Sequence, residues 1–339
     1  MDDLKYILDD RLSDIIGQEK AKAQIKSALL AKRHIVIFGP PGIGKTTIAK
    51  NIARLLPAIK VSDCEYHCLP GAPVCPACKE GRHKTVELSG EKRFIRVQGS
   101  PDLTPEDLLG DIDPIKALKY GPMSIEAFTP GKIFKANNGM LFFDELNRCP
   151  ERLQNALLQV LEEGKVTIGG YDMDFDADFI FIGTMNPEDI NTEKLSDVLL
   201  DRFDIVYMTY PENDETEWKV VKAKGKRLAE VPDALLHLMV KFVRSLRADS
   251  KLEKVPSVRA SIGLYERSQS NAIVKGRKKV EFEDIRDSVV SVIAHRIRLK
   301  PSVKYLQDPK DYLAKEFEEY ITSNYPELSE LMQPSSGYL

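Results

Sequence analysis

The chain has 339 residues, 42% of them hydrophobic and 30% charged, a composition that describes a soluble globular protein of about two ordinary domains rather than a disordered or fibrous one. A formal net charge of −3 argues against a protein covered by nucleic acid, although basic clusters stand at Lys32-Arg33-His34 and Arg277-Lys278-Lys279. No apolar run is long enough to span a bilayer, and the acidic start Met1-Asp-Asp-Leu4 does not read as a signal peptide, so the expected location is cytoplasmic.

The first informative element is His34-Ile-Val-Ile-Phe38, which reads as a buried strand. It runs into Gly39-Pro-Pro-Gly-Ile-Gly-Lys-Thr46, a G-x-x-x-x-G-K-[ST] phosphate loop. Behind it, Ile48, Ile52, Leu55 and Leu56 recur at helical spacing. Strand, glycine loop and helix start are what aim backbone N–H groups and a helix N-terminus at phosphate. The nucleotide-binding residues are therefore Gly39, Pro40, Pro41, Gly42, Ile43, Gly44, Lys45, Thr46 and Thr47. In these roles Lys45 reaches the β- and γ-phosphates and the Thr46 hydroxyl holds Mg²⁺.

Four of the five cysteines follow in one segment, residues 62–84, as Cys64-x3-Cys68-x6-Cys75-x2-Cys78. Their spacing suits tetrahedral Cys₄ zinc, with an iron–sulfur cluster or free, redox-active thiols as the alternatives. His67 and His83 are the residues that could replace one cysteine, while Cys149 reads as a packed small residue. A loop this polar cannot bury a core of its own, so a metal would hold it together.

Phe94-Ile-Arg-Val-Gln98 reads as the next strand of the core, and Pro114, Pro122 and Pro130 mark residues 111–132 as a looped excursion. Met140-Leu-Phe-Phe-Asp-Glu-Leu146 is an apolar strand ending in two carboxylates. Asp144 is placed to hold Mg²⁺ through water and Glu145 to polarise the attacking water. Residues 151–163 carry Leu153, Leu157 and Leu161 on one helical face and stop at Gly164. Alternating residues around Gly169-Gly170 then predict a β-hairpin over 164–176. Phe179-Ile-Phe-Ile-Gly-Thr-Met-Asn186 is another buried strand, whose terminal Asn186 could orient water or contact the γ-phosphate. Arg202, between a helix and a strand, should lie on the surface, where it could enter a neighbouring subunit's site as a finger or simply pair with Asp201 or Asp204.

Together these motifs resemble an AAA+ ATPase of the branch holding the MoxR-type ATPases and the magnesium-chelatase ATPase subunit. Asp144-Glu-Leu-Asn-Arg148, Gln154-Asn-Ala-Leu-Leu158 and Leu161 to Ile168 are similar to the MoxR pattern; Gly110-Asp-Ile-Asp113 with Ala117-Leu118 and Gly121 looks more like the chelatase subunit. The similarity runs from about Ser13 to about Arg298. It implies that the backbone at Ile16-Gly17 lies against adenine and that Arg259, in Val255-Pro-Ser-Val-Arg259, is a second sensor for the γ-phosphate. It also implies that 111–132 is the helix-2 insert and 164–176 the pre-sensor hairpin facing a ring pore.

The expected fold is α/β: a P-loop αβα sandwich with a parallel sheet over 1–212, a small all-α lid over 213–305, and a C-terminal helix and tail over 306–339. The expected function is that of a MoxR-like ring ATPase, a homo-oligomer expected to be hexameric, using ATP and Mg²⁺, with zinc in the cysteine loop, to remodel a protein client or a von Willebrand A-domain partner. Alternatives are the ATPase subunit of a magnesium or cobalt chelatase, which would need companion subunits, and a nucleic-acid motor related to the minichromosome-maintenance helicases. The expected hairpin has no Lys or Arg at its tip and carries Asp172, Asp174 and Asp176 on its return, which disfavours a phosphate backbone as client.

Overall fold

The computed structural model describes residues 12, 14–168, 173–187, 195–305 and 307–332. They divide into two compact units: residues up to Pro40 together with Gly44–Met208, and Pro41–Ile43 together with Thr209 onwards.

The first unit is built on five parallel strands: β1 (His34–Phe38), β2 (Phe94–Gln98), β3 (Gly139–Asp144), β4 (Phe179–Met185) and β5 (Phe203–Tyr207). Their order across the sheet is β5-β1-β4-β3-β2. β3 and β4 are near-continuous apolar runs, as strands covered on both faces must be, and Phe142, Phe143 and Phe181 are fully buried. Register does the rest. Phe38 pairs with Met185, Gly183 with Phe143, and Gln98 with Asp144, so all four strands reach their C-terminal ends at one edge. Helix α1 (Glu19–Leu30) buries Ile25, Ala28 and Leu29, and α2 (Lys45–Leu55) buries Ile48, Ala49 and Ile52.

Three excursions leave this frame. The cysteines hang from an antiparallel stem, Ile59–Ser62 with Thr85–Leu88, which the sequence reading did not contain. Residues 111–132 are less loop-like than the three prolines suggested. Gly110–Ile112 pairs with Phe128–Pro130, and a short helix, Pro114–Tyr120, stands between them. Pro114 occupies its first turn, where the missing N–H costs nothing, and the Asp113 carboxylate caps it. Helix α3 (Glu151–Glu163) ends at Gly164 with φ +62° and leads into Lys165–Ile168, paired antiparallel with Met173–Asp176. The expected turn at Gly169-Gly170, with Tyr171 and Asp172, lies outside the described residues, as does Ser13.

The second unit is helical: α4 (Asp214–Lys224), α5 (Asp233–Arg247), α6 (Val258–Val274), α7 (Phe282–Ile293) and α8 (Pro309–Asn324). The charged-looking α8 turns Tyr312, Leu313, Phe317 and Ile321 into the core of this unit, where Phe317 packs edge-on against Phe242 at 4.8 Å. Glu217 is wholly buried, yet Arg247 meets both its oxygens at 2.6 and 2.8 Å and the Ser261 hydroxyl donates at 2.5 Å. Removing one partner of such a cluster leaves an uncompensated charge, so it fixes which faces of α4, α5 and α6 meet.

Candidate nucleotide site and cysteine cluster

The phosphate loop leaves the end of β1, where the Gly39 N–H donates to the Met185 carbonyl of β4 at 3.2 Å. Gly42 and Gly44 have φ of +78° and +99°, the left-handed conformation from which successive N–H groups converge on an anion. α2 begins at Lys45, so Thr46 and Thr47 occupy its first turn. The Lys45 ammonium donates to the carbonyls of Gly39 and, at 3.0 Å, Pro40, which folds it over the loop. Ile16 and Gly17 precede α1. Gly17 and Gln18 are both left-handed, and the neighbouring Ile15 side chain lies 3.4 Å from where a Cβ on Gly44 would sit.

Asp144 and Glu145 come next along the same edge. The Thr184 hydroxyl donates to Asp144 Oδ1 at 2.7 Å and accepts from the Glu145 N–H at 3.0 Å. Asp144 Oδ2 pairs with Arg96 at 2.6 Å. Glu145 itself is left-handed, φ +57°, an uncommon conformation for a side chain of this size and one that concentrates at functional sites. Its Oε2 accepts from Gln98 Nε2 at 2.9 Å and meets Arg148 at 3.1 Å. Asn186 follows β4, and its carbonyl accepts from Asn147 Nδ2 at 3.4 Å.

The loop, its lysine, the helix start and the adjacent carboxylates fit a magnesium nucleotide: donors for the phosphates lie beside acceptors for the cation. Arg96, Gln98 and Thr184 were missed in the sequence. The available signal was a polar side chain at or near the end of an otherwise apolar strand.

Arg202 lies at the surface after a short helix and pairs with Glu162 of α3 at 2.7 Å, not with Asp201 or Asp204. Asp204 is instead 3.1 Å from Arg33. Arg259 belongs to the second unit, in the first turn of α6, where its N–H donates to the Ser257 hydroxyl at 3.3 Å.

At the other site, the Sγ atoms of Cys64, Cys68, Cys75 and Cys78 all lie within 4.8 Å of one another, and no two are joined in a disulfide. A tetrahedral ion with bonds of about 2.3 Å to sulfur requires sulfurs about 3.8 Å apart, so the donors stand close to ligating distance. Backbone N–H groups already point at them: Val74 and Cys75 donate to Cys68 Sγ at 3.2 and 3.3 Å, and Cys68 N–H to Cys64 Sγ at 3.4 Å. Such donors favour thiolate sulfur. The Cys149 thiol, fully buried elsewhere in the core, is pushed up to about 12 by that burial and stays inert.

Comparison with known proteins gives the family. Residues 73–205 match the ATPase family associated with various cellular activities (AAA), residues 11–67 match magnesium chelatase subunit ChlI, and residues 246–313 match the AAA lid domain. The chain is 30% identical over 318 residues to a magnesium-chelatase subunit ChlI homolog of Methanocaldococcus jannaschii, covering 85% of each chain. It is 25% identical over 316 residues to the chaperone MoxR1 of Mycobacterium tuberculosis, covering 84% of this chain and 73% of that one. The fold resembles the RuvB Holliday junction branch migration motor of Thermotoga maritima, with a TM-score of 0.51 at 17% identity over 95% of this chain and 81% of that one. Among the described residues no helix is long and apolar enough to cross a membrane.

Proposed function

Since the chain belongs to the AAA+ ATPases of the magnesium-chelatase ChlI and MoxR branch, we propose that it hydrolyses ATP as a ring, expected to be a hexamer, and uses the cycle to remodel or activate a protein partner. The observation that carries the ATPase reading is the convergence of Lys45, Asp144, Glu145 and Thr184 at one sheet edge, held by strand register. Ligands of open parallel sheets bind at this edge.

Bound ATP would supply the phosphoanhydride that water cleaves to ADP and phosphate, and Mg²⁺ would neutralise the charge on its phosphate oxygens. In this reading Lys45 and the loop N–H groups hold the phosphates, and Thr46 and Asp144 hold the cation. Glu145 accepts the proton of the attacking water, Asn186 orients that water, and Arg202 and Arg259 stabilise the charge that develops on the γ-phosphate, Arg202 from an adjacent subunit. Zinc in the four cysteines is a structural cofactor. The exposed Asp174 and Asp176 on the hairpin support a protein client over a nucleic acid, whose phosphates they would repel.

A second reading is favoured by the 30% identity to a magnesium-chelatase subunit homolog: the ring would then drive metal insertion with companion subunits. The test is a Glu145→Gln chain, expected to bind ATP and release no phosphate, used with ATP to retain whatever the native extract offers. Retention of a von Willebrand A-domain protein or a dedicated enzyme supports remodelling. Chelatase companions would replace it with the second reading, and nuclease-sensitive recovery of DNA or RNA would overturn both.

A further inference from the structure

The cysteine cluster is wired to the hairpin rather than to the nucleotide edge. Tyr66 and His67 lie between the first two cysteines, in a turn closed by the His67 N–H on the Cys64 carbonyl at 3.2 Å and the Ser62 N–H on the Cys68 carbonyl at 2.8 Å. The carbonyls of Tyr66 and His67 accept from the side-chain amides of Asn137 and Asn138, at 3.3 and 3.2 Å. These two asparagines immediately precede β3. Asn137 Oδ1 also accepts from the Asp178 N–H at 3.0 Å, and the Asn138 N–H donates to the Asp178 carbonyl at 2.6 Å. Asp178 joins the hairpin to β4.

A second link is aromatic. The Tyr66 ring stacks on Phe175 of the hairpin at 5.8 Å, and both lie edge-on to Phe134, at 5.1 and 5.6 Å. Phe175 in turn faces Val166 across the hairpin, and both are buried. Two kinds of contact, amide and aromatic, therefore run from one cysteine turn to one hairpin base. The turn is packed on one side only: Tyr66, Cys68 and Cys75 are buried against the core, whereas Asp63 and Glu65 are exposed and Cys64 and Cys78 are half-buried. Tying the four sulfurs to one ion would join the half-buried pair to the buried pair and fix the turn that carries Tyr66 and His67.

We propose that a zinc ion held by Cys64, Cys68, Cys75 and Cys78 sets the position of the hairpin base through Tyr66 and the Asn137–Asn138 pair, an inference that rests on the zinc reading above. Tyr66, Asn137 and Asn138 are positioning residues in this scheme. They touch neither nucleotide nor metal, and the ion acts at the opposite end of β3 from Asp144. The ion is accessible from outside, because Cys64 and Cys75 form part of the wall of a cavity of about 650 Å³ whose rim includes Arg82, His83 and Glu126. A chelator can therefore reach it in the folded chain.

The test uses the full chain produced with added zinc. Metal analysis should give one zinc per chain. Zinc removal by a chelator under reducing conditions should speed backbone hydrogen exchange over 134–140 and 173–180 by about tenfold or more, while exchange in α6 and α7 stays unchanged. Tyr66→Ala, which keeps all four cysteines, should retain its zinc and still show faster exchange over 173–180. A chain that carries no zinc overturns the metal reading and the inference with it. A chain that carries zinc but exchanges identically at 173–180 after its removal leaves the metal site standing and overturns the link to the hairpin.

Discussion

Gln98, the last residue of the edge strand β2, donates its side-chain amide to Glu145 Oε2 at 2.9 Å, across the register that pairs Gln98 with Asp144. Arg148 reaches the same oxygen from the other side. The carboxylate expected to act as base is thus oriented by an adjacent strand and by its own following turn. General-base catalysis depends on geometry before pKa, and loss of one orienting contact should cost turnover rather than affinity. Gln98→Ala should lower kcat about tenfold and leave nucleotide KM within about threefold. An increase in kcat would mean that the amide restrains Glu145 away from its working position. Phosphate-release kinetics over a range of ATP concentrations separates the two.

Gly99 is required by the same corner. A Cβ on it would stand 2.1 Å from the Glu145 carbonyl oxygen and 3.0 Å from that of Asp144, and neither backbone atom can yield without shifting the carboxylates. Gly99→Ala should therefore displace Glu145 while leaving Lys45 and the loop intact. The expected result is a fall in kcat of about a hundredfold or more, with binding of a fluorescent ATP analogue changed by less than about threefold. Equal loss of binding and turnover would show that the displacement extends to the phosphate loop.

These two residues also mark the limit of what the sequence carries. The phosphate loop, Asp144-Glu145 and the cysteine spacing are local: each packs its chemistry into a few adjacent residues, and each was legible. Gln98, Arg96 and Thr184 reach the site only because β2, β3 and β4, segments far apart in the chain, lie side by side, a pairing that no local periodicity reveals. The stem Ile59–Ser62 with Thr85–Leu88 escaped for a related reason. Its alternation is visible in Ile-Lys-Val-Ser and Thr-Val-Glu-Leu, but the partners are separated by the whole cysteine segment. Prolines misled in the opposite direction: Pro114 starts a helix where three prolines together suggested only loop.

Arg202 is held by Glu162 at 2.7 Å at the surface of the first unit, although its Nε is buried and finds no hydrogen-bond partner among the described residues. A surface pair of this kind contributes little to stability, so the arginine is readily released to a neighbour. Arg202→Ala should fold and bind ATP normally but lose turnover by about a thousandfold, the range seen for arginine fingers. Mixing it with Lys45→Ala should restore part of the activity, because a Lys45→Ala subunit can lend its arginine to an intact phosphate loop. Mixed assemblies as inactive as their parents would remove Arg202 from a role between subunits.

His34 opens β1 at the far end of the sheet, and its Nδ1 accepts the Phe181 N–H at 3.2 Å. Burial, helped by the neighbouring Arg33 and opposed by Asp178, brings its pKa down from the usual 6.5 to about 4. Only the neutral ring can accept that hydrogen bond. Between these two values the unfolded chain binds a proton that the folded chain does not, so stability falls as pH drops through this window and is complete above about 6.5. The full shift would correspond to about 3 kcal/mol, and partial exposure of the ring reduces the expected loss to about 2 kcal/mol. His34→Gln keeps an acceptor and has no charge to gain, so denaturant midpoints of the two chains measured from pH 7 to pH 4.5 should diverge on acidification. Parallel curves would show that His34 protonates as readily in the folded protein as in the unfolded one, and that the hydrogen bond to Phe181 does not hold the ring neutral.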